Sequence, residues 1–302
     1  MRTIKDKTTW LDINHPKEPD LKELKQFFDV SPALEEEIKI QLSRQKLEKF
    51  NDFIFLVIRF PVYNQSKKTS MPIEIDFLIK ENALATIRYS SCEPLDDLFK
   101  KTENLEGFRS KVLGKTSAEA LEIIFEELFN YANRELAHID KKINQISEGI
   151  FKNKEKEMIR QISQTKRDVL DFRRIMKPVH GALKDLAEEQ GAVYSGNKSF
   201  HFKRILENYM DAIDWVENQK DTLESLETTN SSMLSTKLDE VTKILSWLAF
   251  FLAPVTIIGT LFQINTQFTP VIGQPGDWWI VLGFMGLACG LLYWFLKRKR
   301  WI

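Results

Sequence analysis

The sequence predicts an α+β membrane protein with an N-terminal α/β domain, a long helical stalk and two C-terminal transmembrane helices. Three features predict it. Between Asn197 and Ala253 there is neither glycine nor proline, so nothing obliges a helix that begins near Ser199 to stop before the region of Asn265. The stretches Ile244 to Phe262 and Trp278 to Leu296 carry no charge, and each is long enough to cross a bilayer core of about 30 Å. Residues from about Thr8 to Tyr89 alternate strand-like and helix-like patterns, as expected of an α/β layered domain.

Composition sets outer bounds. The 302 residues include 43 basic and 43 acidic side chains and are 43% hydrophobic. Such a neutral balance gives no support to nucleic-acid binding. The opening stretch, MRTIKDKTTWLDINHPKEPD, lacks an apolar core and a small-residue cleavage site, so no secretory signal is expected. Cys92 and Cys289 lie far apart, the second inside an apolar run, so no structural disulfide is expected. His15, His138, His180 and His201 show no metal-ligand spacing and read as surface or packing residues.

Residues 1–115 should form the α/β domain. TTWLDI reads as a strand, DLKELKQFF behind Pro19 and Asp20 as a helix, and FNDFIFLVIRF as an apolar strand. In SPALEEE at 31–37, Ser31 suits an N-cap, Pro32 the first helical position, and the acids the first turn. IEIDFLI at 73–79 alternates with period two, which predicts one buried and one exposed face.

Residues 116–198 should form a helical hairpin, with a break near Gly149, a second helix through KEKEMIRQISQTKRDVLDFRRIM, and an interruption at Pro178 and Gly181. The segment 191–197 reads as the turn into the stalk helix, 199–243, which continues into a first transmembrane helix, 244–263. At about 1.5 Å per residue this continuous helix would span on the order of 90–100 Å. An external loop at 264–277, a second transmembrane helix at 278–296 and a basic tail, KRKRWI, at 297–302 complete the chain. Trp278 and Trp279 at one end, and Tyr293 and Trp294 at the other, resemble interfacial belts. Positive charge close to a membrane helix favours the cytoplasmic side, so both termini should face the cytosol of a multi-pass inner-membrane protein.

One pattern marks a candidate site. Asp239, Thr242, Ser246, Ala249, Ala253, Thr256, Thr260 and Gln263 follow at alternating spacings of three and four, on one helical face. Every member is small or polar. Such a stripe commonly serves close packing of membrane helices; the alternative is that it lines a watery path with Asp239 at one mouth and Gln263 and Asn265 at the other. Elsewhere the motifs are mostly exclusions. Gly107 and the GKT at 114–116 approximate a phosphate-binding loop, but six residues separate the glycines where four are required, so no nucleotide is expected. No metalloprotease, paired-cysteine or nucleophile-elbow pattern occurs, and no enzyme activity or cofactor is expected. Glu207, Asp211 and Asp214 on the stalk fit a solvated face better than a metal site.

Several segments in order resemble the CorA family of divalent-cation channels and transporters, including its ZntB-like branch: WLDI at 10–13, SPALEE at 31–36, DFIFLVIR at 52–59, EIDFLI at 74–79 and TIRY at 86–89, followed by the helical middle, two crossings and basic end. In that family the first transmembrane helix lines the pore, carries a Pro followed two residues later by Thr, and ends in Gly-Met-Asn. Pro254 and Thr256 match, as does Asn265, whereas Gln263 and Ile264 replace Gly and Met.

The resemblance implies a funnel-shaped homopentamer in lipid that passes a largely hydrated divalent cation, Mg²⁺ first and Zn²⁺, Co²⁺ or Ni²⁺ next, with proton-coupled Zn²⁺ uptake as a close variant. Two helices of one copy cannot enclose a pore, so self-association is also a physical requirement. The expected lining is Asn265, Gln263 and Ile264 at the outer mouth, then Thr260, Thr256 and Thr242 as hydroxyls, and Ala253, Ala249 and Leu245 as narrow collars. Pro254 is the expected kink. Asp239 forms a cytosolic acid ring where the family usually has a neutral amide. Asn265 and Asp239 are the residues expected to meet the metal, through its water shell. Because Gln263 and Ile264 depart from the motif, a non-conducting, membrane-anchored interaction protein on the same scaffold is the alternative.

Overall fold

A computed structural model of the chain describes all residues except 42–43, 65–68, 189–198, 264–270, 274 and 300–302. It divides into two compact units, Met1–Asn230 and Ser231–Ile302.

The first unit is built on a six-stranded sheet in the order β1-β2-β6-β5-β4-β3. Its strands are β1 (Arg2–Lys5), β2 (Thr9–Asn14), β3 (Lys46–Lys49), β4 (Ile54–Asn64), β5 (Thr69–Lys80) and β6 (Ala83–Arg88). All neighbours are antiparallel except β2 and β6, which run parallel with Asp12 beside Thr86 and Asn14 beside Arg88. A crossover is needed to make that parallel pair, and the chain supplies it with α1 (Glu18–Leu24), α2 (Pro32–Lys39) and the β3–β5 meander. Ser31 caps α2 as its sequence suggests, its Oγ accepting from the Leu34 amide at 3.3 Å.

Apolar side chains cover both faces of the sheet. On one, Leu11, Ile13, Val57, Leu78, Ala85 and Ile87 pack with Leu21, Leu24, Leu34 and Ile38 of α1 and α2. On the other, Phe77 stacks on Phe125 at 5.3 Å and Phe60 meets Phe129 edge-on at 6.4 Å, both partners lying on α5 (Ser117–Phe151). This corrects the expectation for 73–79. The alternating Glu74 and Asp76 do not face solvent but are buried at 1% and 0% exposure, because helices cover their side of the sheet too.

After α3 (Glu93–Asn104) and α4 (Glu106–Leu113) come α5, α6 (Glu155–Met176) and α7 (Val179–Ala187). Pro178 separates α6 from α7 as expected, but Gly181, expected to share the interruption, lies within α7. The break placed at Gly149 falls instead at Lys152–Lys154, where Asn153 takes φ 63°. Gly149 stays helical and has a packing role, since a Cβ there would lie 2.4 Å from Met158 Sδ. The glycine-lysine-threonine segment follows a helix rather than a strand; Gly114 ends α4 and Thr116 starts α5.

The long helix, α8 (Ser199–Gln263), is continuous through Pro254. In the first unit it buries Phe202, Ile205, Tyr209, Ala212, Val216, Gln219, Leu223 and Asn230, the three-and-four spacing of a coiled-coil seam. Gln219, polar within that seam, donates to the Leu136 carbonyl at 2.8 Å and to Asp140 at 2.7 Å, and Trp215 donates to Asp140 at 3.1 Å. The last helix is α9 (Asp277–Arg298).

Candidate functional site

The candidate site is the membrane end of α8, within the second unit. There α8 and α9 both have the length and apolar character to span a bilayer. They touch through Phe262 and Phe284 at 6.4 Å between ring centroids, and through the Cys289 thiol, which donates to the Phe251 carbonyl at 3.8 Å. Pro254, one turn further along α8, lacks the N–H that would otherwise bond the Phe250 carbonyl.

The covered side of α8 consists of Trp247, Phe251, Pro254, Ile258, Gly259 and Phe262, all half-buried. Asp239, Thr242, Ser246, Ala249, Ala253, Thr256, Thr260 and Gln263 are all exposed. At about 100° per residue the two sets lie roughly opposite one another around the helix. Apart from Gly259, which approaches Met285, the covered side of α8 is made of large aromatic and aliphatic side chains and Pro254, and the stripe itself is not spent on the contact with α9. Leu245, 59% exposed, borders the uncovered stripe.

The hydroxyls on the stripe have a shared geometry. Ser246 donates to the Thr242 carbonyl at 2.8 Å, Thr256 to Leu252 at 2.9 Å and Thr260 to Ile257 at 2.9 Å. Their protons are thus turned into the helix, and the oxygens keep lone pairs that can accept from water. The face is neutral and accepting from Thr242 to Gln263, with Asp239 three residues before it.

Of the expected site residues, Ile264 and Asn265 lie outside the described residues. Among the described residues no three His, Cys, Asp or Glu side chains gather as metal ligands. Glu207, Asp211 and Asp214 are exposed on α8, in keeping with a solvated face. Both cysteines are free, and burial pushes the Cys92 thiol up to about 12.

Sequence reasoning missed a buried polar system in the first unit. Arg88, 1% exposed, donates to Asp12 at 3.1 Å and to both oxygens of Asp96 at 2.6 and 2.9 Å, while Arg2 pairs with the same two acids. Thr86 donates to Asp12 at 2.9 Å and accepts from the Trp10 indole at 3.1 Å. Asp12 and Arg88 stand in WLDI and TIRY, and the parallel pairing of β2 with β6 is what joins them. A charged residue inside each of two apolar strand patterns was the available signal.

A family profile described as CorA-like Mg²⁺ transporter protein matches residues 5–298. The cobalt/magnesium transport protein CorA of Thermotoga maritima is 22% identical over 296 residues, covering 97% of this chain and 83% of that protein. Among solved structures, the CorA magnesium transporter of Methanocaldococcus jannaschii superposes with a TM-score of 0.78 at 18% identity, over 98% of this chain and 92% of that one. The full-length CmaX protein gives 0.75 at 15% identity, over 97% and 89%. These likenesses extend through both apolar helices and establish a shared fold. The family is one of metal-ion transporters rather than enzymes. With a cytoplasmic N-terminal domain and two C-terminal helices that cross the inner membrane, the chain belongs to the CorA-like Mg²⁺ transporter family.

Proposed function

We propose that five copies of this chain assemble about a common axis and pass a divalent cation, Mg²⁺ first and Co²⁺, Ni²⁺ or Zn²⁺ next, through a pore lined by α8. The observation that carries this reading is the small, polar stripe on the side of α8 that α9 leaves uncovered. A neutral, hydrogen-bond-accepting face has little reason to turn toward acyl chains. Repeated around an axis, it becomes a set of rings.

In this reading Asn265 presents amide oxygens at the outer mouth, with Gln263 and Ile264 beside it. Mg²⁺ sheds its waters reluctantly, so a ring that accepts from the hydration shell suits it better than one that must displace it. Thr260, Thr256 and Thr242 continue the accepting surface. Ala253, Ala249 and Leu245 form narrow collars that can gate by excluding water. The Asp239 ring concentrates cations at the cytosolic mouth, and Pro254 lets the helix bend between the two ends. Magnesium and cobalt in the names of the relatives support the order of ions proposed.

The test is metal flux into proteoliposomes, measured across several divalent ions at two pH gradients. Flux favouring Mg²⁺ and insensitive to the proton gradient is expected, with Asn265→Ala abolishing it. Unchanged flux in that variant would remove the outer ring from the mechanism, and absence of flux for every ion would favour a non-conducting role.

A further inference from the structure

We propose that the N-terminal unit also carries a binding site for a phosphorylated small molecule, independent of the pore. It is a cavity of about 510 Å³ where the end of α6, the start of α7 and strands β4 and β5 meet. Arg44, from the segment ahead of β3, Arg59 on β4 and Arg174 on α6 converge on it, and Pro72, Ile175 and Pro178 supply apolar wall.

The charge pattern sets this cavity apart. No carboxylate is among its described lining residues. Two other cavities of the unit, about 400 and 380 Å³, mix both signs: Glu135 and Asp168 beside Lys142 in one, Glu93 and Asp97 beside Lys101 in the other. In a chain with equal numbers of basic and acidic side chains, three arginines from three separate segments line one hollow, and an anion there would meet donors from all three. Neighbouring acids offset part of this. Arg174 pairs with Asp171 at 3.0 Å and the Arg59 Nε faces Glu74 at 3.6 Å, while Arg44 has no ion-pair partner among the described residues. The positive excess is that of Arg44.

Guanidinium groups recognise phosphate through paired, nearly parallel N–H···O bonds, which makes arginine the favoured residue for this anion. The two prolines and Ile175 add a surface for a ring or sugar, and the volume lies within the usual range for small-molecule sites, about 300–1,000 Å³. A nucleotide has both parts. Inorganic pyrophosphate has the anion alone.

Isothermal titration of the full chain in detergent, at low salt and free of divalent metals, separates the sources, with ATP and pyrophosphate as probes. ATP is expected to bind, and Arg44→Ala combined with Arg174→Ala to weaken it at least about tenfold, since two charge-assisted contacts are lost. Arg44→Lys keeps the charge, loses the fork and should weaken it less. Both side chains are exposed, so the melting temperature should hold. Equal binding of pyrophosphate would assign the site to the phosphates alone; tighter ATP binding would add the apolar wall. Absence of binding by either probe, or binding unchanged in the double variant, overturns the proposal.

Discussion

At the residue scale the most informative side chain is Asp76, fully buried between β5 and α2. The Tyr89 Oη lies 2.7 Å from an Asp76 carboxyl oxygen and 2.7 Å from the Ile38 carbonyl oxygen. A phenol has one proton and a carbonyl has none. Both contacts are satisfied when Tyr89 donates to Ile38 and a protonated Asp76 donates to Tyr89. Burial pushes the Asp76 carboxyl up to about 7, and the carboxylates of Glu74 and Glu37 push the same way. The sign follows from linkage: the folded state holds a proton that the unfolded state releases near 4. The resulting stability is present at low pH, declines as pH rises above the unfolded value, and is lost once pH passes about 7. Asp76→Asn, which keeps a donor toward Tyr89, should therefore flatten the dependence of the melting temperature between about pH 5 and about pH 8. A variant that keeps the wild-type slope would refute the assignment. Arg88→Ala should behave differently, removing the buried member of the pair and leaving Asp12 with only Arg2 and Thr86, at a cost of up to about 3 kcal/mol in denaturant unfolding at any neutral pH.

At the scale of elements, α8 changes character along its length. Up to Asn230 it uses a seam of apolar residues broken by Gln219, which is held by Asp140 and the Leu136 carbonyl. Beyond that one side, with Trp247, Phe251, Ile258 and Phe262, is half-buried, while the small polar stripe on the opposite side is exposed. The uncovered face makes an accessibility prediction. In a background lacking Cys289, Thr256→Cys should react with a charged, water-soluble thiol reagent, because only a hydrated thiol ionises readily. Leu248→Cys, exposed but well away from the stripe around the helix, should react at least about tenfold more slowly, since a site facing lipid disfavours the thiolate. Equal rates would mean that the stripe does not face water. Ala253→Phe, which adds a ring to each copy at a narrow level, should reduce metal flux by about tenfold or more while leaving the thermal stability of the assembly in place.

For the whole molecule, assembly is the central prediction. A hairpin of α8 and α9 encloses no space, and the second unit presents exposed apolar side chains such as Leu248, Leu252 and Leu291 as well as the polar stripe. Lipid can cover the first kind of surface but not readily the second. Native mass spectrometry from detergent should report five copies, and a monomer at the concentrations that support flux would remove the pore from the proposed function.

What could be read from the chain without its fold was the set of features carried by local pattern. Uncharged runs identify both membrane helices because bilayer thickness dictates their length. The three-and-four spacing of Thr242 to Gln263 picks out a face because helical geometry is invariant, and Ser31 declares a cap through its own hydroxyl. Only the tertiary structure decided where each face points and which distant charges meet. IEIDFLI looks half-exposed because alternation cannot tell whether a helix will later cover the polar side, as α2 does over Asp76. Gly149 looks like a break because its closeness to Met158 is invisible along the chain. Arg88 reaches Asp12, and Arg44 and Arg174 come to line one cavity, only once the parallel pairing of β2 with β6 and the packing of α6 are in place. Periodicity is a property of one element, whereas burial and charge pairing are properties of at least two.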